Sequence, residues 1–96
     1  MKQLENKVAL ITGAGSGMGQ THAKVFAERG AVVVINDLNG DGLNETAKIV
    51  RDAGGQAVEC VGDITKPDFV KAMIDDAVNQ VGGVSILVNN AGIGEH

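Results

Sequence analysis

A glycine-rich run that directly follows a short apolar segment constrains the fold of this chain more than any other feature. The apolar segment is Val8-Ala9-Leu10-Ile11, and the run after it reads Thr12-Gly13-Ala14-Gly15-Ser16-Gly17-Met18-Gly19. A buried strand that ends in such a turn and opens a helix presents free backbone N–H groups at the helix N-terminus. These groups form an anion site suited to a pyrophosphate, so we interpret the run as a phosphate-binding loop.

A carboxylate at the end of the next apolar run extends this interpretation. Asp37 follows the apolar residues 31–35 and lies eighteen residues after Gly19. A carboxylate at this spacing can accept hydrogen bonds from an adenosine ribose, and it favours a free 2′-hydroxyl over a 2′-phosphate. Residues 14–16 and 36–39 contain no Lys or Arg that would attract a 2′-phosphate. The sequence therefore predicts NAD as the cofactor, against the alternative of a solvated aspartate at a strand end.

The spacing of the glycines excludes two other phosphate loops. The general fingerprint G-x-G-x-x-G, counted from Gly13, requires glycine where Met18 stands, and no Gly-Lys-Ser/Thr follows for a P-loop. The pattern present is T-G-x-x-x-G-x-G. Together with Asp37, the segment Gly62-Asp63-Ile64-Thr65 and the segment Asn89-Asn90-Ala91-Gly92, it resembles the short-chain dehydrogenase/reductase family over almost the whole chain.

The glycines of the loop have separable expected roles. Gly13 permits the sharp turn, Gly17 lets a pyrophosphate approach the backbone, and Gly19 lets the helix pack closely on the sheet. Ser16 and the N–H of Met18 are the expected direct phosphate contacts. The alternative is a merely flexible loop, which would cost conformational entropy for no purpose.

The family resemblance implies roles for the remaining candidates. It places Asp63 against the adenine amino group with the Ile64 backbone beside it, and Asn90-Ala91-Gly92 along the adenosine-ribose side of the cleft. A turn or capping role is the alternative for Asp63, and bracing of the sheet is the alternative for the asparagines. The full set of candidate cofactor-binding residues is Gly13, Ser16, Gly17, Met18, Gly19, Asp37, Leu38, Asp63, Ile64, Asn90, Ala91 and Gly92.

Hydrophobic periodicity predicts a regular alternation of strands and helices. The predicted strands are residues 7–12, 31–36, 57–61 and 84–89. The predicted helices are residues 17–29, a segment after the polar turn 39–42 that stops at Gly54-Gly55, and a segment from a Thr65 cap to residue 81. Such alternation gives a parallel sheet with right-handed crossovers. We expect a single α/β domain over residues 1–96, a Rossmann-like half of a doubly wound three-layer fold with sheet order 3-2-1-4.

The same periodicity predicts which helix faces are buried. The expected stripes are Met18, His22, Val25 and Phe26, then Leu43, Ala47 and Val50, then Val70, Met73, Ile74, Ala77 and Val81. We expect His22 to be a hydrogen-bonded, partly buried side chain and Cys60 to be a small core residue. Phe69 lies off its stripe and is expected to be exposed or to meet another subunit. Asp75 and Asp76 are expected on the outer, solvated face.

Composition limits what the chain can do. It contains no tyrosine, whereas the family resemblance implies a Tyr-x-x-x-Lys pair and a serine downstream of Asn-Asn-Ala-Gly. We therefore expect no catalytic residue here, and interpret the chain as the cofactor half of an enzyme that transfers hydride between NAD and an alcohol or ketone. The alternatives are a stand-alone dinucleotide-binding module and a folding or assembly fragment with negligible cofactor affinity.

Charge and the remaining composition bear on partners and location. The net charge of −4 without a basic run argues against nucleic acid, and no apolar stretch is long enough to span a membrane. A single cysteine and the absence of a signal-peptide pattern predict a cytoplasmic protein. The sequence contains no cluster of His and Cys residues, so we expect no metal site. Residues 84–88 of the last predicted strand contain no charge or proline, so we expect a homodimer through this sheet edge. The alternative is pairing through the third helix at Phe69 and Val78.

Overall fold

The computed structural model describes residues 2–90, and this part of the chain forms four strands and three helices. All strand pairs are parallel, and the sheet order is β3-β2-β1-β4. Both features confirm the predicted Rossmann-like α/β architecture. In chain order the elements are β1 (Val8–Thr12), α1 (Gly17–Glu28), β2 (Val32–Asp37), α2 (Gly40–Asp52), β3 (Gln56–Val61), α3 (Pro67–Val81) and β4 (Ile86–Asn89).

The strand bounds differ from the predicted ones by one or two residues. The largest difference is at β4, which begins at Ile86 rather than at residue 84. Just before it, Ser85 donates its backbone N–H to the carbonyl of Val8, 2.8 Å away, which sets the register of β4 against β1. At β2 the strand continues through Asp37, so the predicted ribose-binding carboxylate belongs to the last residue of the strand.

The central strands carry the core on both faces of the sheet. Every residue of β1 is buried, as expected for a parallel strand that helices cover on both sides. One face, here called the α1/α2 face, has eleven buried apolar residues in one cluster, among them Ile11, Val33 and Leu43. The opposite α3 face has five, which are Val8, Leu10, Val34, Met73 and Ala77.

Helix α1 buries a different stripe from the predicted one. Its buried residues are Gly19, Ala23 and Ala27, whereas Met18 is 59% exposed. His22 and Phe26 are only half-buried, so the predicted stripe flanks the contact instead of forming it. The reason is close packing: small residues four apart let the helix backbone approach the sheet, and large side chains are displaced to the sides of the contact.

Helix α2 begins earlier than predicted, because the expected polar turn is part of its first turn. Asn39 is the N-cap, and its side-chain oxygen accepts hydrogen bonds from the N–H groups of Asp41 and Gly42 at 3.1 and 3.2 Å. Such caps stabilise a helix start even where glycines disfavour it. The predicted stripe of Leu43, Ala47 and Val50 is fully buried.

Helix α3 corrects three expectations. It begins at Pro67 with Lys66 as N-cap, because the hydroxyl of Thr65 instead donates to Asp63. Phe69 is half-buried against the α3-face cluster, and its ring lies over Gly62, where a Cβ atom would meet Cδ1 of the ring at 2.6 Å. The buried face therefore continues every four residues as Phe69, Met73, Ala77 and Val81, while Ile74 is 41% exposed.

Within residues 2–90, no helix is both long and apolar enough to cross a membrane.

Candidate cofactor site

The phosphate-loop candidates lie where β1 ends and α1 begins. Gly13 and Gly17 adopt φ values of +64° and +54°, in the left-handed region that favours glycine. A Cβ atom on Gly19 would collide with the carbonyl oxygen of Gly13 and lie 2.7 Å from Cα of Ala14. Backbone conformation therefore favours glycine at Gly13 and Gly17, and close packing requires it at Gly19, as the sequence predicts for Gly13 and Gly19.

The outer part of the loop is open. Ser16 is the N-cap of α1 but makes no side-chain bond to the first-turn N–H groups, which lack intrahelical partners in any α-helix. Ser16, Gly17 and Met18 are exposed, and a Cβ atom on Gly17 would meet nothing within 4 Å. These residues present an exposed backbone surface with N–H donors at a helix N-terminus, which fits a phosphate group.

The inner part of the loop is held by three side chains. The N–H of Gly15 donates to Oδ2 of Asp37 at 2.7 Å, and the hydroxyl of Thr46 donates to the carbonyl of Ala14 at 2.6 Å. Nε2 of Gln20 donates to the carbonyl of Gly15 at 3.2 Å. A Cβ atom on Gly15 would lie 2.7 Å from Oδ2 of Asp37, so this glycine is required by the carboxylate itself.

The carboxylate of Asp37 is held from two sides at the edge of the site. Besides the bond from Gly15, its Oδ1 accepts the N–H of Asn39 at 2.9 Å. An ionised carboxylate offers about four lone-pair positions, so each oxygen keeps acceptor capacity for a ribose hydroxyl. The neighbouring Leu38 is 71% exposed and leaves this edge accessible.

Asp63 forms a turn after β3. Its Oδ1 accepts both the hydroxyl and the backbone N–H of Thr65, at 2.7 and 2.8 Å. The side-chain bond and then the backbone bond from Thr65 lower the pKa of Asp63 below its ordinary value. The turn role considered as the alternative is thus present, and because both bonds use Oδ1, it is compatible with a second acceptor role at Oδ2. Ile64 packs against the α3-face cluster.

Asn89 and Asn90 brace the ends of β1 and β4. The hydroxyl of Thr12 lies 2.7 Å from Oδ1 of Asn89, and it accepts the backbone N–H of Asn90 at 3.2 Å. Nδ2 of Asn90 donates to the carbonyl of Thr12 at 3.3 Å, while Oδ1 of Asn90 is buried without a partner in the described part of the chain. The bracing role is therefore present. Ala91 and Gly92 lie outside the described residues.

Asn36 is a polar core residue that sequence reasoning missed. It is 2% exposed, and its Nδ2 lies 2.9 Å from the carbonyl oxygen of Cys60 and 3.2 Å from that of Gly62. Its own carbonyl accepts the N–H of Ala14 at 2.8 Å. The available signal was an amide side chain at the end of an apolar strand, directly before Asp37. Thr46 gave the weaker signal of a hydroxyl on an apolar helix stripe.

Cys60 and Asp75, which were not expected to be functional, lie where the sequence predicts, whereas His22 differs from its expectation. Cys60 is half-buried against the α3-face cluster, as predicted. The pKa of its thiol is raised, mainly by burial and to a smaller extent by the negative charge of Asp76. Asp75 is exposed and paired with Lys71 at 3.3 Å, which agrees with the expected outer face. The expectation of a hydrogen-bonded His22 is wrong at Nδ1, which is buried without a partner among the described residues. No group of three metal-ligating side chains occurs within residues 2–90.

Comparison with known proteins places this geometry in a family. The family of short chain dehydrogenases matches residues 7–96. The 7alpha-hydroxysteroid dehydrogenase of Escherichia coli (strain K12) is 46% identical over 92 residues, which are 96% of this chain and 36% of that protein. The short-chain dehydrogenase/reductase homolog YusS of Bacillus subtilis (strain 168) is 42% identical over 95% of this chain and 84% of its own length.

A solved structure supports the same placement. A 7alpha-hydroxysteroid dehydrogenase complexed with NADH and 7-oxo glycochenodeoxycholic acid has a TM-score of 0.86 and 44% identity, covering 90% of this chain and 34% of that one. The chain thus spans about a third of the length of the first curated relatives it matches. With a family match over nearly all of its residues, this chain belongs to the short-chain dehydrogenase/reductase family.

Proposed function

We propose that this chain binds NAD(H) at the carboxyl ends of its strands, as the cofactor-binding part of a family oxidoreductase. The observation that carries the proposal is the carboxylate of Asp37, fixed at 2.7 Å from the loop N–H of Gly15, beside an open helix N-terminus. A relative of similar fold has been solved with NADH, which supports the same cofactor here. Residues 1–96 would then act as a single NAD-binding domain.

Each part of the site has a proposed role. The pyrophosphate would be bound by Ser16 and by the backbone of Gly17 and Met18, with Gly13 and Gly19 shaping the turn. Asp37 and the exposed Leu38 would bind the adenosine ribose. Asp63 and Ile64 would bind the adenine, and Asn90, Ala91 and Gly92 would line the ribose side of the cleft. When bound, NAD supplies the hydride-accepting nicotinamide.

The same geometry favours NAD over NADP. A 2′-phosphate placed at Asp37 would bring two negative groups together, and residues 14–16 and 36–39 offer no cation to offset the repulsion. Asp37 cannot easily turn away, because bonds from Gly15 and Asn39 hold its two oxygens separately.

Isothermal titration with NAD and NADP tests this proposal. We expect wild-type protein to bind NAD, with NADP weaker by at least tenfold. Asp37→Asn removes the charge and should narrow that difference, and Asp37→Ala combined with Leu38→Arg should reverse it. Asp75→Asn is the control, because it removes the same charge on the exposed side of α3 and should change neither affinity. Equal or tighter binding of NADP by the wild-type chain would contradict the role of Asp37.

The activity of the whole protein is a second part of the proposal. The family implies hydride transfer between NAD and an alcohol or ketone, with a tyrosine as acid/base. These 96 residues contain no tyrosine, so we propose that they bind the cofactor and do not by themselves catalyse turnover. An assay of NADH formation over a panel of secondary alcohols should stay at background, and turnover lost in Asp37→Ala would contradict this.

Two other functions remain distinguishable from it. A stand-alone binding module would bind NAD equally well, but it would not be part of a catalytic enzyme. A folding or assembly fragment would show no heat of NAD binding at all. We further propose a cytoplasmic location, which a single cysteine suits because it cannot form a disulfide within the chain.

We also propose self-association through β4. In the described sheet β4 pairs with β1 on one side and forms the edge on the other, and Leu87 on it is 66% exposed. An uncharged edge strand of this kind favours pairing with a second copy. Leu87→Lys should convert a dimer to monomer in sedimentation. Val78→Lys, on exposed α3 surface, is the matched control and would be the disruptive variant if pairing occurred through α3 instead.

A further inference from the structure

Both polar backbone groups of Gly62 are bonded to two consecutive residues of β2. Its N–H donates to the carbonyl of Asp37 at 3.0 Å, and its carbonyl accepts Nδ2 of Asn36 at 3.2 Å. The ring of Phe69 covers the α-carbon of Gly62 on the α3 face. The backbone directly before Asp63 is therefore held on three sides.

The first of these bonds is ordinary sheet pairing, but the second is not. A side-chain amide inside a parallel sheet is unusual, since such strands are otherwise apolar. Asn36 is 2% exposed, and Nδ2 also donates to the carbonyl of Cys60 at 2.9 Å. Its two hydrogens thus cover both carbonyls at the place where β3 leaves the ladder, and β3 cannot separate from β2 there without exposing buried polar groups.

This arrangement links two parts of the proposed adenosine site. Asn36 directly precedes Asp37, and Gly62 directly precedes Asp63. The side-chain bond from Asn36 to Gly62, together with the backbone bond from Gly62 to Asp37, therefore fixes the separation between the carboxylate proposed for the ribose and the carboxylate proposed for the adenine. Asp63 is in turn oriented by Thr65 through Oδ1.

We propose that Asn36 is a positioning residue for base recognition, which holds Asp63 where it accepts the 6-amino group of adenine. The inference rests on the proposed function of NAD binding. It predicts that Asn36, which does not itself touch the cofactor, determines selectivity for the adenine base and not for the 2′ position of the ribose.

The probe is nicotinamide hypoxanthine dinucleotide, which differs from NAD at the purine, where the 6-amino donor is replaced by a carbonyl acceptor. A carboxylate that accepts from the amino group loses that bond and faces an oxygen instead. Isothermal titration of wild-type protein should give NAD an affinity at least tenfold above that of the hypoxanthine analogue, and at least tenfold above that of NADP.

Asn36→Leu removes the two donors at similar volume, and Asn36→Ser is the second variant if the leucine protein does not fold. In the folded variant we expect the preference for NAD over the hypoxanthine analogue to fall to within about threefold, while the preference over NADP stays above about tenfold. Val33→Ala is the matched control. It removes fully buried atoms from the same strand and should lower stability without changing either preference.

The outcomes separate the inference from the proposal beneath it. Absence of NAD binding in the wild-type protein overturns the proposed function. Binding of NAD without preference over the hypoxanthine analogue overturns the adenine role of Asp63, and with it the role of Asn36. A preference that survives in the Asn36 variant overturns the inference alone. Loss of both preferences in that variant also overturns it, because this indicates general damage to the site.

Discussion

The two faces of the sheet are covered to different extents, and the two halves of the proposed site depend on different faces. The α1/α2 face has eleven buried apolar residues, among them residues from both helices, while the α3 face has five. The phosphate loop is bonded to α2 through Thr46, a fully buried residue. Asp63 instead follows β3, where Val61 is 54% exposed.

The difference shows that rigidity in this molecule comes from different sources on its two sides. On the α1/α2 face, close packing of small residues from α1 adds to the hydrogen bonds from Asp37 and Thr46 that hold the loop. On the α3 face, with fewer buried neighbours, hydrogen bonds from Asn36 and Thr65 hold the turn at Asp63. Four experiments break or sharpen this comparison.

The largest expected effect is a loss of stability when core packing is removed from the α1/α2 face. Leu43→Ala on α2 should lower the free energy of unfolding by about 3–4 kcal/mol, within the usual range for such truncations. Met73→Ala on α3 should cost less, about 2 kcal/mol, because the surroundings can relax into the space. Leu43 and Met73 are 0% and 4% exposed. Urea unfolding measures both, and equal losses would contradict the comparison.

Next comes the contact between α1 and the loop. Gly19→Ala places Cβ against backbone atoms of Gly13 and Ala14 that cannot move aside, so we expect a loss of about 2–3 kcal/mol and of NAD binding. Gly40→Ala is the control. Its Cβ would lie 3.6 Å from Val61 Cγ2, an ordinary contact at the start of a helix, so stability should be unchanged or higher. A tolerated Gly19→Ala would show that α1 can move away from the sheet.

A smaller effect separates backbone strain from ligand contact. Gly17 and Gly54 both have positive φ, +54° and +87°, and a Cβ on either meets nothing within 4 Å. Alanine should therefore cost each about 1 kcal/mol of stability. Only Gly17→Ala should weaken NAD binding in titration calorimetry, because Gly54 lies between α2 and the start of β3, at the opposite end of the sheet from the loop. Equal effects of the two substitutions on NAD affinity would contradict the proposed contact between the pyrophosphate and Gly17.

The smallest effect is electrostatic and concerns Asp63. Since the pKa of Asp63 is lowered in the folded protein, its contribution to stability is present above the ordinary pKa of about 3.9 and is lost as pH falls through the lower, folded value. Asp63→Asn should therefore be slightly less stable than wild type at pH 7, and the difference should shrink below about pH 4. Urea unfolding at both pH values measures the difference in unfolding free energy between the two proteins. A difference that is the same at both pH values would contradict the stabilising role of the ionised Asp63 carboxylate in the turn.

Much of the fold was predictable because its signals are local. Apolar runs and glycine stops indicate the seven elements, and the strand order 3-2-1-4 is the order expected for the first half of a doubly wound fold. The buried side of α1 was not predictable by the same method. Periodicity weights large apolar residues such as Met18 and Phe26, whereas the contact uses Gly19, Ala23 and Ala27, which are selected by distance to the sheet.

The candidate site was predictable where the motif acts through its own backbone. Gly13 has the turn conformation and Gly19 the close packing that their spacing indicated, while the approach of a pyrophosphate to Gly17 stays a prediction. The residues that support the site were missed, because they act on partners distant in sequence. Asn36 bonds carbonyls 24 and 26 positions away in or beside β3, and Thr46 on α2 bonds a loop carbonyl 32 positions away. Nothing in a one-dimensional pattern indicates which carbonyl a buried amide will meet.

The peptide group between Ala14 and Gly15 has a further consequence for kinetics. Thr46 binds its carbonyl and Asp37 its N–H, so both ends of one rigid plane are fixed. Rotation of that plane would break both bonds together, so the orientation of this peptide is set before any ligand binds. We therefore expect no loop-ordering step at this peptide, so that in stopped-flow mixing the observed rate of cofactor binding rises in proportion to cofactor concentration.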